Sequence, residues 1–397
     1  MPRLSVHPIL SVPNLKLIST YYETGCLFHK VLILEKPKCT KCQAKGKNLR
    51  LKDSFERTIQ HELVGEKRSY LKITQRKFLC RRCDTYFREP IPAVLPFQRA
   101  SEHARYLMAR DHHLGFSKST VADRYNVSSR KVDRQYAHLQ ARHLKELSQR
   151  SCPKVMGIDE HFLNRKVGFV TTFVNLQTHK VFDLAPGRSE LSLRDYLEKL
   201  KGKENVRVVV MDLSSTYRSI IQKYFPNALI VADRFHVIRH LNHQLLNIWK
   251  KIDPNGRSNR GLLSLVRRHR FNLKHEQRLK LVDYFSKVPA LSPVYSELKA
   301  LQELLLNKHK KQSEVRKFLI PKLLGHIARL EECAFEESQS LAKLIKSWLE
   351  PIARMWRFTK TNSITEGLHC KMELLQRIAF GFHSFKNYRI RVLAHCG

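Results

Sequence analysis

A chain of 397 residues is long for one hydrophobic core, so two to four domains are expected, and an apolar content of 42% supports real cores. No run of roughly eighteen apolar residues is present, which excludes a transmembrane helix, and the opening MPRLSVHPIL lacks a signal-peptide layout, so a soluble cytoplasmic protein is expected. Lys and Arg number 73 against 35 Asp and Glu, a formal net charge of +38 that a compact fold tolerates best beside a polyanion. DNA or RNA fits, because each neutralised phosphate releases a condensed counterion. The excess runs along the whole chain, which disfavours a short ribosome-associated protein or a membrane-surface protein with one basic amphipathic helix.

The first predicted element is a short helical lead-in around Pro13–Tyr22. Two Cys-x-x-Cys pairs follow, Cys39 with Cys42 and Cys80 with Cys83. Two intervening residues let both thiolates of a pair turn onto one tetrahedral Zn²⁺, a structural knuckle. The alternative, a redox-active pair, normally needs one motif on a helix in a thioredoxin-like unit. The 37 residues between the pairs suit strands at Leu49–Leu51, Thr58–Leu63 and Tyr70–Phe78, a ribbon that returns the second knuckle beside the first. Lys41, Arg81 and Arg82 inside the knuckles suit phosphate contact. The chain has nine cysteines, an odd number, and with no signal peptide this argues against a disulfide framework.

Residues 102–115 have helical periodicity, and SKSTVADRYNVSSRKVDRQYAHLQ reads as two helices broken at Asn126–Ser128. Ala122 permits close helix packing, Val127 plugs the turn and Ser128 is the expected N-cap. The second helix carries Arg130, Lys131 and Arg134 beside apolar Val132, Tyr136 and Leu139, the layout of a recognition helix of a helix-turn-helix that enters the DNA major groove.

From Pro153 onward strands and helices alternate. Val155–Ile158 is an expected strand ending at Asp159; Val167–Asn175 and His179–Ala185 form a hairpin; Leu191–Leu200 is a helix. Arg207–Met211 is a buried strand ending at Asp212, Ser215–Tyr224 a helix, and Leu229–Ala232 a strand ending at Asp233. This order is that of an RNase-H-like core, which brings carboxylates from neighbouring strand ends together. Two such carboxylates can bridge two Mg²⁺ (or Mn²⁺) ions for phosphodiester chemistry, with a third carboxylate from a helix, here Glu366 in TNSITEGLHCKM. Residues 254–350 are Leu- and Lys-rich and read as all helix; their basic runs RRHRFNLKHEQRLK and NKHKKQSEVRK suit DNA or a second subunit.

The stretches VMGIDEHFLNRKVGFVTTFVNLQTHKVFDLAPGRSE, VRVVVMDLSSTYRSIIQKYFPNALIVADRFHVIRHLN and TEGLHCKMELLQRIAFGFHSFKNYRIRVLAHCG resemble the transposases of the ISL-three family of bacterial insertion sequences. The cysteine knuckles and helix-turn-helix fall in that family's order. The resemblance implies that Asp159, Asp212 and Glu366 are the catalytic acids, places Asp233 and His236 in the family's ADRFHV segment, and puts His383 where the family often has Arg. It implies a multidomain α+β chain: a zinc ribbon-like module at 1–95, a helix-turn-helix domain at 96–150, an RNase-H-like core at 151–252 and 351–397, and a helical insertion at 253–350. The implied partners are double-stranded DNA, as element ends and as target, and further copies of the chain on that DNA, in a bacterial nucleoid. Two rival expectations are a catalytically silent DNA-binding regulator derived from a transposase and an RNase-H-like nuclease that hydrolyses without strand transfer.

Overall fold

The computed structural model describes residues 12–358 and 363–397. The opening MPRLSVHPIL, and Thr361 and Asn362 of TNSITEGLHCKM, therefore lie outside the described residues. The chain divides into two units, residues 1–144 with 375–381, and residues 145–374 with 382–397.

In the first unit, β1 (Leu15–Glu23) and β2 (Cys26–Ile33) form an antiparallel hairpin, where a helix was expected. The reason is local. Thr24 and Gly25 take φ of 47° and 76°, the left-handed pair of a tight hairpin turn, and pairing of LKLISTYYE with the next strand outweighs its weak helical pattern. The expected strands at Leu49–Leu51 and Thr58–Leu63 are one strand, β3 (Leu49–Val64), which pairs antiparallel with β4 (Lys67–Cys80) across irregularities at Leu51/Asp53 and Gln60/Leu63. On the other edge of β4 lie β2, parallel at Ser69–Ile73, and the short β5 (Thr85–Arg88), antiparallel at Lys77–Cys80. Val12, Val31, Ile59, Leu71 and Ile73 make the core under this sheet.

Three helices follow: α1 (Glu102–His113), α2 (Lys118–Tyr125) and α3 (Ser129–Ser148). Ser101 and Ser117 cap the first two by accepting from Ala104 N and Thr120 N. Asn126 stops α2 in the left-handed conformation at φ 49°, and Ser128 Oγ accepts from Lys131 N at 3.3 Å. Met108, Val121, Ala122, Tyr125 and Val132 pack together, with Val127 against them. Tyr136 is buried, but Leu139 is 38% exposed and does not share that core.

The second unit is built on a five-stranded sheet in the order β10-β9-β6-β7-β8. Its strands are β6 (Val155–Asn164), β7 (Gly168–Asn175), β8 (Lys180–Pro186), β9 (Val208–Met211) and β10 (Leu229–Ala232). β6, β7 and β8 form an antiparallel meander, whereas β9 and β10 run parallel to β6. All of β9 is buried, and Val209, Val210, Met156, Ile158 and Phe173 are among the core residues. The connections are α4 (Glu190–Lys199) and α5 (Ser215–Tyr224), both started by serine caps. The strand at Val155–Ile158 does not end at Asp159. It continues to Asn164 because β7 pairs with it as far as Asn164↔Gly168.

After β10 every described element up to Phe358 is helical: α6 (Arg234–Ile252), α7 (Pro254–Ser258), α8 (Arg260–Arg267), α9 (His275–Lys287), α10 (Leu291–Leu305), α11 (Gln312–Glu314) with a wider turn at Val315–Leu319, α12 (Ile320–Glu332), α13 (Glu336–Ser347) and α14 (Leu349–Met355). Then come α15 (Ser363–Ile378) and α16 (Phe385–Cys396). Arg389 on α16 makes a two-pronged ion pair to Asp183 of β8 at 2.7 and 2.8 Å, fixing the last helix to the sheet. No helix among the described residues is long and apolar enough to cross a membrane.

One buried guanidinium ties the helical segment to the sheet edge. Arg234 opens α6 directly after β10 and donates to three carbonyls, Leu305 O at 3.0 Å, Asn307 O at 2.9 Å and Met355 O at 2.8 Å. These oxygens lie at the C-terminal ends of α10 and α14, which otherwise lack partners in their own helices. Arg234→Met is expected to strip donors from buried acceptors and to destabilise this unit by about 3 kcal/mol or more. A thermal melt that shows Arg234→Met within a degree of wild type would contradict this role.

Candidate active site and metal centres

The four expected zinc ligands converge. Cys39, Cys42, Cys80 and Cys83 hold their sulfurs within 4.8 Å of one another, with Sγ–Sγ distances of 3.6 Å for Cys39–Cys83 and 3.5 Å for Cys42–Cys80. A tetrahedron of Zn–S bonds has sulfur–sulfur edges of about 3.8 Å, so the cage fits Zn²⁺. The local cause is a pair of similar turns. Gln43 and Asp84, each just after a second cysteine, take φ of 60° and 47°, and the pairing Leu49↔Cys80 brings the two knuckles together. The Cys42 backbone N–H pulls the Cys39 thiol down to about 6, towards the thiolate a metal needs. Phe78, Phe87 and Ala44 seal the cage, which is the core of this end of the sheet. Lys41, Arg81 and Arg82 are exposed around it.

In the second unit three aspartates stand side by side. β6 and β9 pair Gly157↔Val210, and β9 and β10 pair Met211↔Ala232. Continuing that register sets Asp159 across from Asp212, and Asp212 across from Asp233, at the carboxyl ends of the parallel pairings. The Asp233 backbone N–H donates to Met211 O at 2.7 Å, so the alignment persists past the end of β10. Asp233 is 1% exposed and accepts from His236 Nδ1 at 2.8 Å. Burial pushes the Asp159 carboxyl up to about 6 and raises that of Asp212, and the neighbouring carboxylates add to both shifts. Asp212 Oδ1 is buried with no hydrogen-bond partner. Two neighbouring, largely buried carboxylates, one with an orphaned oxygen, could hold a hard divalent cation, although among the described residues only the four cysteines converge as a group of three or more metal-ligating side chains.

Glu366 lies in the first turn of α15, exposed. One turn on, at the i+3 position that shares its helix face, His369 places Nδ1 3.8 Å from Asp159 Oδ2. Sequence reasoning missed this histidine and the network behind it. His369 Nε2 lies 3.2 Å from Thr172 Oγ1, Thr172 Oγ1 lies 3.2 Å from His161 Nδ1, and His161 Nε2 lies 2.8 Å from the Tyr388 hydroxyl. Burial drives His161 down to about 3 and His369 to about 4, so both rings are neutral at pH 7. One proton arrangement suits all four groups: Tyr388 donates to His161, His161 to Thr172, Thr172 to His369, and the His369 Nδ1–H faces the Asp159 carboxylate. The reverse would aim a ring lone pair at that carboxylate. The available signals were spacing alone: His161 is two residues from Asp159 on the same strand face, and His369 three from Glu366 on one helix face.

The expected DNA-reading residues sit on α3. Arg130 and Arg134 are exposed and one turn apart, while Lys131 is half-buried, its ammonium lowered by burial and by Arg134 and Arg105.

Two outcomes follow from this geometry. Cys80→Ser is expected to lose the one zinc per chain that metal analysis should find in wild type; full zinc retention would exclude the cage. Asp159→Asn is expected to raise the melting temperature of protein prepared without added Mg²⁺. The native carboxyl titrates near 6 and an unfolded one near 3.8, so the stability that protonated Asp159 contributes is lost as pH rises through that window. The gain from Asn is at most about 3 kcal/mol at pH 7 and should shrink below about pH 4. An equal or lower melting temperature at pH 7 would contradict the burial cost.

Comparisons with known proteins place the chain among transposases. The ISL3 DDE model, described as a transposase family, matches residues 156–392, more than half the chain. A second model, the zinc-finger of transposases IS204, IS1001, IS1096 and IS1165, matches residues 35–83 and spans all four cysteines. The transposase for insertion sequence element IS1001 of Bordetella parapertussis is 21% identical over 379 residues, covering 90% of this chain and 88% of its own length. An N-terminal zinc ribbon followed by a matched transposase domain identifies the chain as a member of the ISL3 family of insertion-sequence transposases.

Proposed function

We propose that this transposase cuts and joins DNA through Asp159, Asp212 and Glu366, on an RNase-H-like core formed by residues 151–252 and 351–397 and interrupted by the helical insertion 253–350. Supporting the core reading is the strand order, with an antiparallel meander flanked by two parallel strands and an acid at the end of each parallel pairing. The observation that carries the catalytic reading is the unpartnered buried oxygen of Asp212 beside a second buried carboxylate, Asp159. When bound there, Mg²⁺ or Mn²⁺ supplies the positive charge that a phosphodiester displacement needs at its attacking and leaving oxygens. Asp159 and Asp212 hold the metal-binding oxygens, with Glu366 as the third carboxylate from α15. His369, neutral and anchored through Thr172, His161 and Tyr388, holds the first turn of α15 against Asp159.

The N-terminal part selects the DNA. Residues 1–95 form the zinc module and residues 96–150 a helix-turn-helix in which Arg130, Lys131 and Arg134 of α3 read the terminal inverted repeats. The stopped, plugged turn between α2 and α3 and the exposed Arg130 and Arg134 support this assignment. The reaction is hydrolysis of a phosphodiester at the element end, then attack of the freed 3′-hydroxyl on target double-stranded DNA, with copies of the chain assembled on the ends in the bacterial nucleoid.

A gel assay with labelled end DNA separates the two halves of the proposal by scoring bound complex and cut product independently. Asp159→Asn, Asp212→Asn and Glu366→Gln are each expected to lose cutting by roughly a thousandfold while binding as wild type does. Arg130→Ala and Arg134→Ala are expected to weaken end binding roughly tenfold each. Cutting by Asp212→Asn at the wild-type rate would overturn the catalytic assignment; unchanged binding by both arginine variants would overturn the recognition helix.

A further inference from the structure

α6 starts immediately after Asp233 and carries away from the aspartate row a stripe of residues at helical spacing: Phe235, Ile238, Arg239, Asn242 and His243. These residues and Arg267 of α8 line an open depression of about 330 Å³ whose lining contains no acidic side chain. Its entrance is joined to the aspartates through one side chain. His236, which donates to Asp233, meets the Phe235 ring edge-on at 5.6 Å and 84°, while Phe235 remains 51% exposed. An exposed aromatic face held in place beside arginines suits stacking of a nucleobase, as in single-stranded DNA binding.

Asn242, which also lines the depression, keeps its side-chain oxygen buried without a hydrogen-bond partner. Arg267 is held from behind, because buried Lys299 donates to Arg268 O at 3.2 Å at the end of α8. Beyond Arg267 the basic lining continues with Arg260 and Arg268, again without an acid. Arg239 is six residues from Asp233, about 9 Å along the helix axis, a span of one or two nucleotides from a phosphate at the aspartates.

We propose that the depression between α6 and α8 takes an unpaired nucleotide of the DNA strand that runs on from the cleaved phosphate. The base stacks on Phe235, and the following phosphates lie on Arg239 and Arg267. This rests on the reading of the aspartate row as the place of cleavage, but its test needs no cleavage.

The probe is a duplex with a three-nucleotide single-stranded end that carries 5-iodo-deoxyuridine, compared with a blunt duplex of the same sequence, and the full chain is used without added divalent cation. On irradiation the cross-link is expected to map to Phe235. Phe235→Ala should abolish that cross-link and weaken binding of the overhang probe about tenfold, with the blunt duplex changed less than twofold. Phe235→Trp should restore overhang binding, and Arg239→Ala should weaken it in the same selective way. A cross-link that maps elsewhere, or a Phe235→Ala variant that loses both probes equally or neither, overturns the proposal. Should Asp212→Asn cut DNA normally while the Phe235 cross-link persists, the catalytic reading fails and the nucleotide site stands.

Discussion

Burying a carboxylate in a protein costs free energy unless donors or a cation meet it, and burying several together compounds the cost through their mutual repulsion. The second unit accepts that cost at one edge of its sheet. Asp159, Asp212 and Asp233 are aligned by the parallel register of β6, β9 and β10, and they are met differently. Asp233 is satisfied within the protein by His236. Asp159 accepts from the Glu160 backbone N–H and has a neutral histidine near it, and Asp212 keeps one oxygen without a partner. The row thus runs from a carboxylate paired with a histidine to one that keeps an oxygen without a hydrogen-bond partner.

Much of the remaining unit serves to hold that edge in place. Arg234 spans from the end of β10 to the carbonyl ends of α10 and α14, so the helical segment braces the strand that presents Asp233. α15 is held against β7 through His369 and Thr172, and α16 against β8 through Arg389 and Asp183. A fold that keeps repelling carboxylates adjacent needs rigid neighbours, since any looseness would let them separate into water.

What the sequence revealed depended on how local the determining physics was. The strand–acid–helix segment 208–233 was readable almost to the residue, because VVVM is a buried run, LIVA is buried after its first residue, and Ser215–Tyr224 matches its helix bounds. The cysteine spacing located the zinc cage for the same reason: two intervening residues constrain a turn whatever surrounds it. The strand at Leu15–Glu23 was misread as helix because its partner, not its own pattern, decides its state. The continuation of β6 past Asp159 was set by β7 in the same way. His161 and His369 were invisible as a pair, being 208 residues apart in sequence and brought together only by the fold, ring against ring at 5.1 Å and through Thr172. Leu139, apolar like Val132 and Tyr136, is 38% exposed because α3 has run past the small helical core by that point.

The central claim is that Asp159 and Asp212 bind divalent cations together with Glu366. The most direct measurement is the anomalous difference density of Mn²⁺ in crystals of the full chain bound to element-end DNA, with cutting blocked by a non-hydrolysable phosphate at the scissile position. The account predicts Mn²⁺ ligated by Asp159 and by the free oxygen of Asp212, with Glu366 completing the site from α15. Mn²⁺ bound only at Asp233 and His236, or no ion within ligand distance of Asp212, would contradict it.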